Sequence, residues 1–341
     1  MRAFVLNGPG DAEVHDVEPP RADHGEVVVD VHRAGVCGTD IEFFTGAMAY
    51  LHQGHAEYPL RLGHEWSGTV TAIGEGVAPS WLGQRVTGDT MLGCGRCHRC
   101  LDGRQHVCAD RFEIGIRGGR HGALAEQLAV PAVALRSLPA SVDDVAGALV
   151  EPGGNALRAV LGADLEPGRR LLIWGTGTIA LLAMQFAIAA KVETHLVGLS
   201  RASLEFAESL GANGAWLTSG LPDLRWDGVI DATDDRAVPA LALDLVEPGG
   251  RVVFIGLSGQ PSTIDTRQLA FKDVTAVGIL SGSPGLTGAL EQYAAGFVDP
   301  RPLVGATVEL DQVGDVLAGW RPADAGPGPK IHVDPRQRST V

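Results

Sequence analysis

The chain opens with alternating apolar and polar positions and later switches to short apolar runs separated by glycine turns. Glu26-Val-Val-Val-Asp-Val-His32 alternates and predicts a strand. From Arg170 the pattern changes: Leu171-Leu-Ile-Trp174 is a short buried strand, followed by glycines and an apolar helix to about Ala190. Strand-like runs recur at His195–Leu199, Gly228–Asp231 and Arg251–Gly256, with a helix expected over Arg201–Leu210. Strands alternating with helices predict a parallel sheet covered on both faces. The uncharged stretch Leu171–Ala190 has the length of a membrane span. Gly175-Thr-Gly177 interrupts it near its start, so a strand, a turn and a buried helix are expected instead.

That turn reads Gly175-Thr-Gly177-Thr178-Ile179-Ala180, the pattern Gly-x-Gly-x-x-Ala between a strand and a helix. Glycines at these positions let backbone approach a pyrophosphate, and the following helix start offers free N–H groups from Thr178 and Ile179. The next strand ends in Gly198-Leu-Ser200-Arg201. A carboxylate at Gly198 would bind a ribose 2′-hydroxyl and repel a 2′-phosphate. Glycine there, with a hydroxyl and a guanidinium beyond it, favours NADP(H) over NAD. The competing reading makes Ser200 an ordinary helix cap with Arg201 facing solvent. Glu193 precedes the strand and is not placed to read the ribose.

Five cysteines carry the sharpest chemistry. Cys94, Cys97, Cys100 and Cys108 fall in fifteen residues as C-x2-C-x2-C-x7-C. Such spacing wraps one tetrahedral cation and closes its shell, which predicts a structural zinc. An iron–sulfur cluster or a redox pair would use the same sulfurs, but the compact run favours zinc. His98 and His106 are expected to be solvated loop residues. Cys37, in Gly35-Val-Cys37-Gly-Thr39-Asp40, is left over. A lone cysteine is commonly an inert buried side chain. Here Gly63-His64-Glu65 and Glu151-Pro152 can complete a thiolate, imidazole and carboxylate set with an open fourth position, the pattern of a second, catalytic zinc.

Taken in order, Gly-x-Cys-Gly-Thr-Asp, Gly-His-Glu, the four-cysteine lobe, Glu-Pro and the glycine turn resemble the zinc-dependent medium-chain alcohol/polyol dehydrogenases. The likeness is to the sorbitol/threonine-dehydrogenase-like branch and runs from Met1 to about Pro335. It implies an α/β fold: a Rossmann doubly wound parallel sheet over 151–285, and a mostly-β, GroES-like catalytic domain from 1–150 and 286–341. Hydride transfer is expected in the cleft between them.

The resemblance further implies that Cys37 and His64 hold the catalytic zinc, with either Glu65 or Glu151 as third ligand. It makes Asp40 the carboxylate behind His64, and Thr39 the acceptor of the alcohol proton. Leu257 and Ser281 are placed beside the nicotinamide. Gly153-Gly-Asn155 replaces the usual apolar continuation after Glu-Pro and is expected to alter the wall beside the metal. Glu42 stands where a proton-relaying histidine is common. The implied activity is NADP(H)-linked interconversion of a secondary alcohol and a ketone, the substrate being a polyol, sugar or cyclitol. The polar stretch Tyr50–Tyr58 is read either as part of the substrate cleft or as a solvated insertion. A homodimer or homotetramer is expected.

Length and charge narrow the field. With 341 residues, 45% hydrophobic and 20% charged, two full-sized domains are expected and widespread disorder is excluded. A formal charge of −14 disfavours nucleic acid and anionic membrane as partners. No secretory signal is read in Met1–Gly8, and a cytoplasmic setting, which keeps thiols reduced, is expected. Two other classes share parts of this pattern. A zinc-free quinone or enoyl reductase would lack Cys37, His64 and the lobe, and a non-catalytic nucleotide-binding scaffold would be expected to lose ligands.

Overall fold

The computed structural model describes residues 1–338. The chain forms two compact units, one joining Met1–Glu151 to the segment from Pro300 onward, the other Pro152–Asp299.

The first unit is built on a seven-stranded sheet in which Glu26–Gly35 is central, paired antiparallel with Glu65–Ile73, Gln127–Pro131 and Lys330–Val333. Lys330–Val333 pairs in turn with Val304–Val308, the one parallel ladder of that sheet. Inward side chains of Glu26–Gly35 join Trp66, Leu62, Phe4 and Phe43 in one core, where each fully buried large apolar side chain contributes about 1.5–3 kcal/mol. Gly35 faces Glu65 across one ladder and His332 across the other. A Cβ on Gly35 would lie 2.1 Å from Glu65 Oε2, so only glycine leaves room for that carboxylate.

The second unit is a six-stranded, all-parallel sheet in the spatial order Gly214–Leu217, Glu193–Gly198, Arg170–Trp174, Trp226–Asp231, Val246–Phe254, Thr275–Gly278. Numbered along the chain, this is the 3-2-1-4-5-6 order of doubly wound dinucleotide folds, and it reverses direction between Arg170–Trp174 and Trp226–Asp231. The glycine turn follows the first of those strands, at the switch point where such sheets bind ligand. Helix Thr178–Ala189 is apolar nearly all round because it is buried, with Leu181, Leu182, Met184 and Phe186 covered. No helix among the described residues is long and apolar enough to cross a membrane.

The second unit extends to Asp299 rather than to residue 285. Helix Leu286–Ala294 belongs to it because Tyr293 stacks on Phe186 at 5.9 Å and sits against Gly153. The same contact gives Gly153 and Gly154 a packing role. A Cβ on Gly153 would lie 2.2 Å from Tyr293 Oη, and one on Gly154 2.6 Å from the Gly282 carbonyl oxygen. Both glycines serve close packing within the second unit.

Candidate active site

Strand Glu26–Gly35 delivers Cys37 two residues beyond its end, at the N-cap of helix Gly38–Thr45. The Asp40 carboxylate accepts the Cys37 backbone N–H at 2.9 Å, fixing the turn. Strand Glu65–Ile73 begins opposite, so His64 and Glu65 arrive on the same side. The ligand atoms of Cys37, His64 and Glu65 all lie within 4.8 Å of one another, with His64 and Glu65 buried. Asp40 is fully buried, and its Oδ1 lies 3.7 Å from His64 Nδ1. Among the described residues neither of those two atoms has a hydrogen-bond partner. A buried thiol, imidazole and carboxylate so close together fit one divalent cation, which would draw the imidazole's far nitrogen and orient the ring against Asp40.

Electrostatics agree with that use. Burial penalises a charged His64, yet Asp40, Cys37 and Glu151 together raise its pKa well above the ordinary histidine value. Burial dominates at Asp40 and raises its pKa in turn. Glu151 stands at the start of helix Val150–Ala163, buried and close enough to act on His64, but outside the three-ligand group. Thr39 is half-buried in the first turn of its helix.

Two features here are invisible to spacing. Lys330 Nζ, fully buried, donates to both Glu65 oxygens at 2.8 and 2.7 Å and to the Val36 carbonyl at 2.9 Å. The lysine lies 265 residues from its partner, and nothing around Pro329-Lys330-Ile331 marks it as more than a strand edge. The second feature is a polar cluster beside His64, beginning at the bend between strands Arg85–Gly88 and Met91–Leu92. Thr90 Oγ1 donates to the His64 carbonyl, and the Ile114 N–H donates to the Thr90 carbonyl. Beside it, Glu113 accepts from Arg111 at 2.7 Å and from the Tyr50 hydroxyl at 3.2 Å. Tyr50, in the short helix Ala49–His52, is therefore anchored inward and is not part of a wholly solvated insertion.

The four remaining sulfurs form the knuckle expected of them. Cys97 Sγ is 3.6 Å from Cys100 Sγ and 3.8 Å from Cys108 Sγ, and Cys94 is 4.0 Å from Cys100. A tetrahedron with metal–sulfur bonds of about 2.3 Å has edges of about 3.8 Å. Disulfides are excluded, since all five cysteines are free. Gly93 must be glycine, because a Cβ there would lie 2.6 Å from Cys100 Sγ. Backbone N–H groups of Arg96 and Cys97 pull the Cys94 thiol down to about 6, favouring the thiolate. His98 is exposed as expected, but His106 is buried at 5% exposure in the turn Gln105–Val107. It is a core residue of the lobe, not a solvated one. Replacing Cys100 by serine is expected to remove one metal per chain and lower Tm by roughly 10 °C. Elemental analysis and calorimetry check this; unchanged metal content would refute the knuckle's role.

In the second unit the predicted dinucleotide residues share one rim, at or just beyond the carboxyl ends of parallel strands. Gly175 adopts φ 114°, and a Cβ there would lie 3.0 Å from the Ala232 carbonyl oxygen. Gly177 caps helix Thr178–Ala189 with no side-chain partner and open space where a Cβ would stand, so the N–H groups of Thr178 and Ile179 face a cradle suited to pyrophosphate. Gly198 has a packing reason as well, since a Cβ would lie 2.7 Å from Thr176 Cγ2 under the turn. Ser200 is the N-cap of helix Arg201–Ser209, its hydroxyl accepting the Ser203 N–H at 3.2 Å. Arg201 is exposed at that helix start. Glu193 lies at the far end of its strand, paired with Arg170 and His195. Leu257, 75% exposed, and Ser281, at φ 70°, follow the last two strands; Arg158 donates to the Ser281 carbonyl.

A six-stranded doubly wound sheet with a glycine-turn rim, joined to a β unit carrying a three-ligand cluster and a four-sulfur knuckle, defines a metal-dependent dinucleotide oxidoreductase. Comparison with known proteins agrees. Residues 23–140 match the alcohol dehydrogenase GroES-like domain, and residues 178–297 match the zinc-binding dehydrogenase domain. The chain is 30% identical over 279 residues to L-threonine 3-dehydrogenase of Coxiella burnetii (strain Dugway 5J108-111), covering 78% of this chain and 80% of that protein. Among solved structures, an alcohol dehydrogenase (rspB) of E. coli CFT073 with NADH superposes with TM-score 0.89 at 25% identity, covering 98% of this chain and 99% of the other. A zinc-binding dehydrogenase of Sinorhizobium meliloti 1021 bound to NADP superposes with TM-score 0.88 at 28% identity, again over 98% and 99%. The chain belongs to the zinc-dependent medium-chain dehydrogenase family and is an NAD(P)-dependent alcohol dehydrogenase.

Proposed function

We propose that the chain interconverts a secondary alcohol and its ketone with NADP(H), using one catalytic and one structural zinc, on a polyol, sugar or cyclitol. The observation that carries this reading is the convergence of Cys37, His64 and Glu65 within 4.8 Å against buried Asp40. A zinc ion there would supply Lewis-acid polarisation of a hydroxyl or carbonyl oxygen, and a nicotinamide would supply or accept the hydride. Cys37, His64 and Glu65 would hold the cation, and Asp40, 3.7 Å from His64 Nδ1, would orient the imidazole behind it. Glu65 serves both the cation and Lys330, since a carboxylate offers two oxygens and about four lone-pair sites. Glu151 faces the same position from helix Val150–Ala163 and orders solvent or substrate beside it. Thr39 accepts the proton released when an alcohol is oxidised and returns one when a ketone is reduced.

Gly175, Gly177, Thr178 and Ile179 bind the pyrophosphate through backbone. Because Ser200 already caps its helix, Arg201 carries the preference for a 2′-phosphate, with Gly198 supplying no opposing charge. Leu257 and Ser281 line the nicotinamide. Arg201→Asp is expected to raise KM for NADPH about tenfold or more while changing KM for NADH little. Equal changes for both would refute the assignment. The substrate test is an absorbance assay of the reduced nicotinamide across ketones, polyols and cyclitols. Turnover of simple primary alcohols alone would refute the polyol reading.

The proposed homodimer or homotetramer is supported by Thr275–Gly278, the last strand of the parallel sheet, with Thr275, Ala276 and Gly278 exposed and Phe271 85% exposed beside it. A cytoplasmic setting is proposed on the five unpaired cysteines.

A further inference from the structure

The first unit carries a cationic pocket away from the metal cluster. A pocket of ≈170 Å³ opens between the segment preceding Gly63-His64 and the turn through Gly119, lined by Arg61, Arg120, His121, Gln127, Leu128 and Pro20 among others. Consecutive glycines Gly118 and Gly119, at φ 75° and 76°, turn the chain so that Arg120 and His121 follow at once. The Gly122 N–H donates to the Arg61 carbonyl at 2.8 Å and ties the two walls together.

Three cationic or protonatable side chains thus share one small space, and the protein supplies few counter-charges. Arg120 donates to Glu26 Oε1 at 2.6 Å, and its guanidinium lies over the Phe112 ring at 5.9 Å. Gln127 gives its amide to Asp30 at 2.8 Å. Arg61 has no side-chain hydrogen bond or ion pair among the described residues, although it is only partly exposed, and burial alone lowers its pKa. Burial also lowers the His121 pKa, and the positive charges of Arg61 and Arg120 lower it further. In a chain with a formal charge of −14, a half-covered guanidinium without a carboxylate is unusual, because withdrawing it from water unpaired costs free energy.

We propose that this pocket binds a phosphoryl group, as inorganic phosphate or a small phosphate monoester. A guanidinium fork presents paired N–H donors that match tetrahedral oxyanions, and a second arginine with an imidazole on the adjoining turn meets the remaining oxygens. Pro20 and Ala129 provide an apolar wall for a short organic substituent. The site lies wholly within the first unit and is independent of the proposed 2′-phosphate contact at Arg201.

The test uses the metal-loaded full chain in buffer free of phosphate and sulfate, at constant ionic strength. Inorganic phosphate and glycerol phosphate are titrated separately while the His121 imidazole resonances, assigned with His121→Gln, are followed by NMR. A saturable shift with a rise in the His121 pKa is expected, since a bound anion favours the imidazolium. Response to phosphate alone assigns the free ion; response to glycerol phosphate, alone or in addition, assigns a monoester. Arg61→Gln should weaken saturation about tenfold or more, and Arg61→Lys less, with metal content and alcohol turnover unchanged. A non-saturable shift reproduced by sodium chloride, or saturation unaltered in Arg61→Gln, would overturn the proposal.

Discussion

Replacing Cys37 by alanine is expected to lower kcat by about 10³ or more while leaving dinucleotide affinity within a few-fold of the parent. The loss corresponds to about 4 kcal/mol of transition-state stabilisation, the scale on which a Lewis acid contributes to charge development at oxygen. His64→Ala should do the same, because both side chains reach one point within 4.8 Å. Metal content should fall from two to one per chain in each variant, the remaining ion being that of the four-sulfur knuckle. The dinucleotide rim belongs to the other unit and its strands are unaffected, so binding measured by nicotinamide fluorescence should persist. Full turnover with one ion per chain would remove the basis of the proposed chemistry.

The second large effect concerns Lys330. Burial lowers its pKa, but Glu65, Cys37 and Asp40 outweigh this and the net direction is upward. Its contribution to stability is therefore complete below the unfolded lysine value of 10.5 and is lost only as pH climbs through the higher folded value. Lys330→Met leaves the Glu65 carboxylate buried, 1% exposed, without the ammonium that pairs with it. Removing one partner of a buried pair costs about 3–5 kcal/mol. That cost should appear in full in metal-stripped protein. It should shrink when the metal is loaded, because a cation held by Cys37, His64 and Glu65 neutralises the same carboxylate. Calorimetry of both forms checks this. An equal loss in the two forms would show that Glu65 is not a ligand and would shift the third-ligand role to Glu151. The double variant Lys330→Met with Glu65→Gln should recover much of the stability of the stripped protein.

Local pattern specified the elements that need only neighbours in sequence. The strand Arg170–Trp174, the glycine turn and the helix Thr178–Ala189 were legible because hydrophobic period and glycine φ demands act over a few residues. The cysteine spacing likewise brought its own sulfurs together, since residues three apart in a turn lie side by side. Cys37, His64 and Glu65 were legible as candidates, because their types and short flanking motifs survive in one dimension.

Distance along the chain hid the rest. Glycine at position 35 looks like an ordinary strand end, yet the ladder places it opposite Glu65, where any side chain would strike the carboxylate. Gly153 and Gly154 pack tightly against Tyr293 and Gly282, neighbours that lie more than a hundred residues away in sequence. The charge that balances Glu65 comes from Lys330, on a strand formed near the other end of the chain. Sequence by itself determined which residues can hold a metal or a dinucleotide, because donor chemistry and turn geometry are local. Tertiary structure alone decided which of them share a site and which charges offset one another, because desolvation and Coulomb energy depend on distance in space.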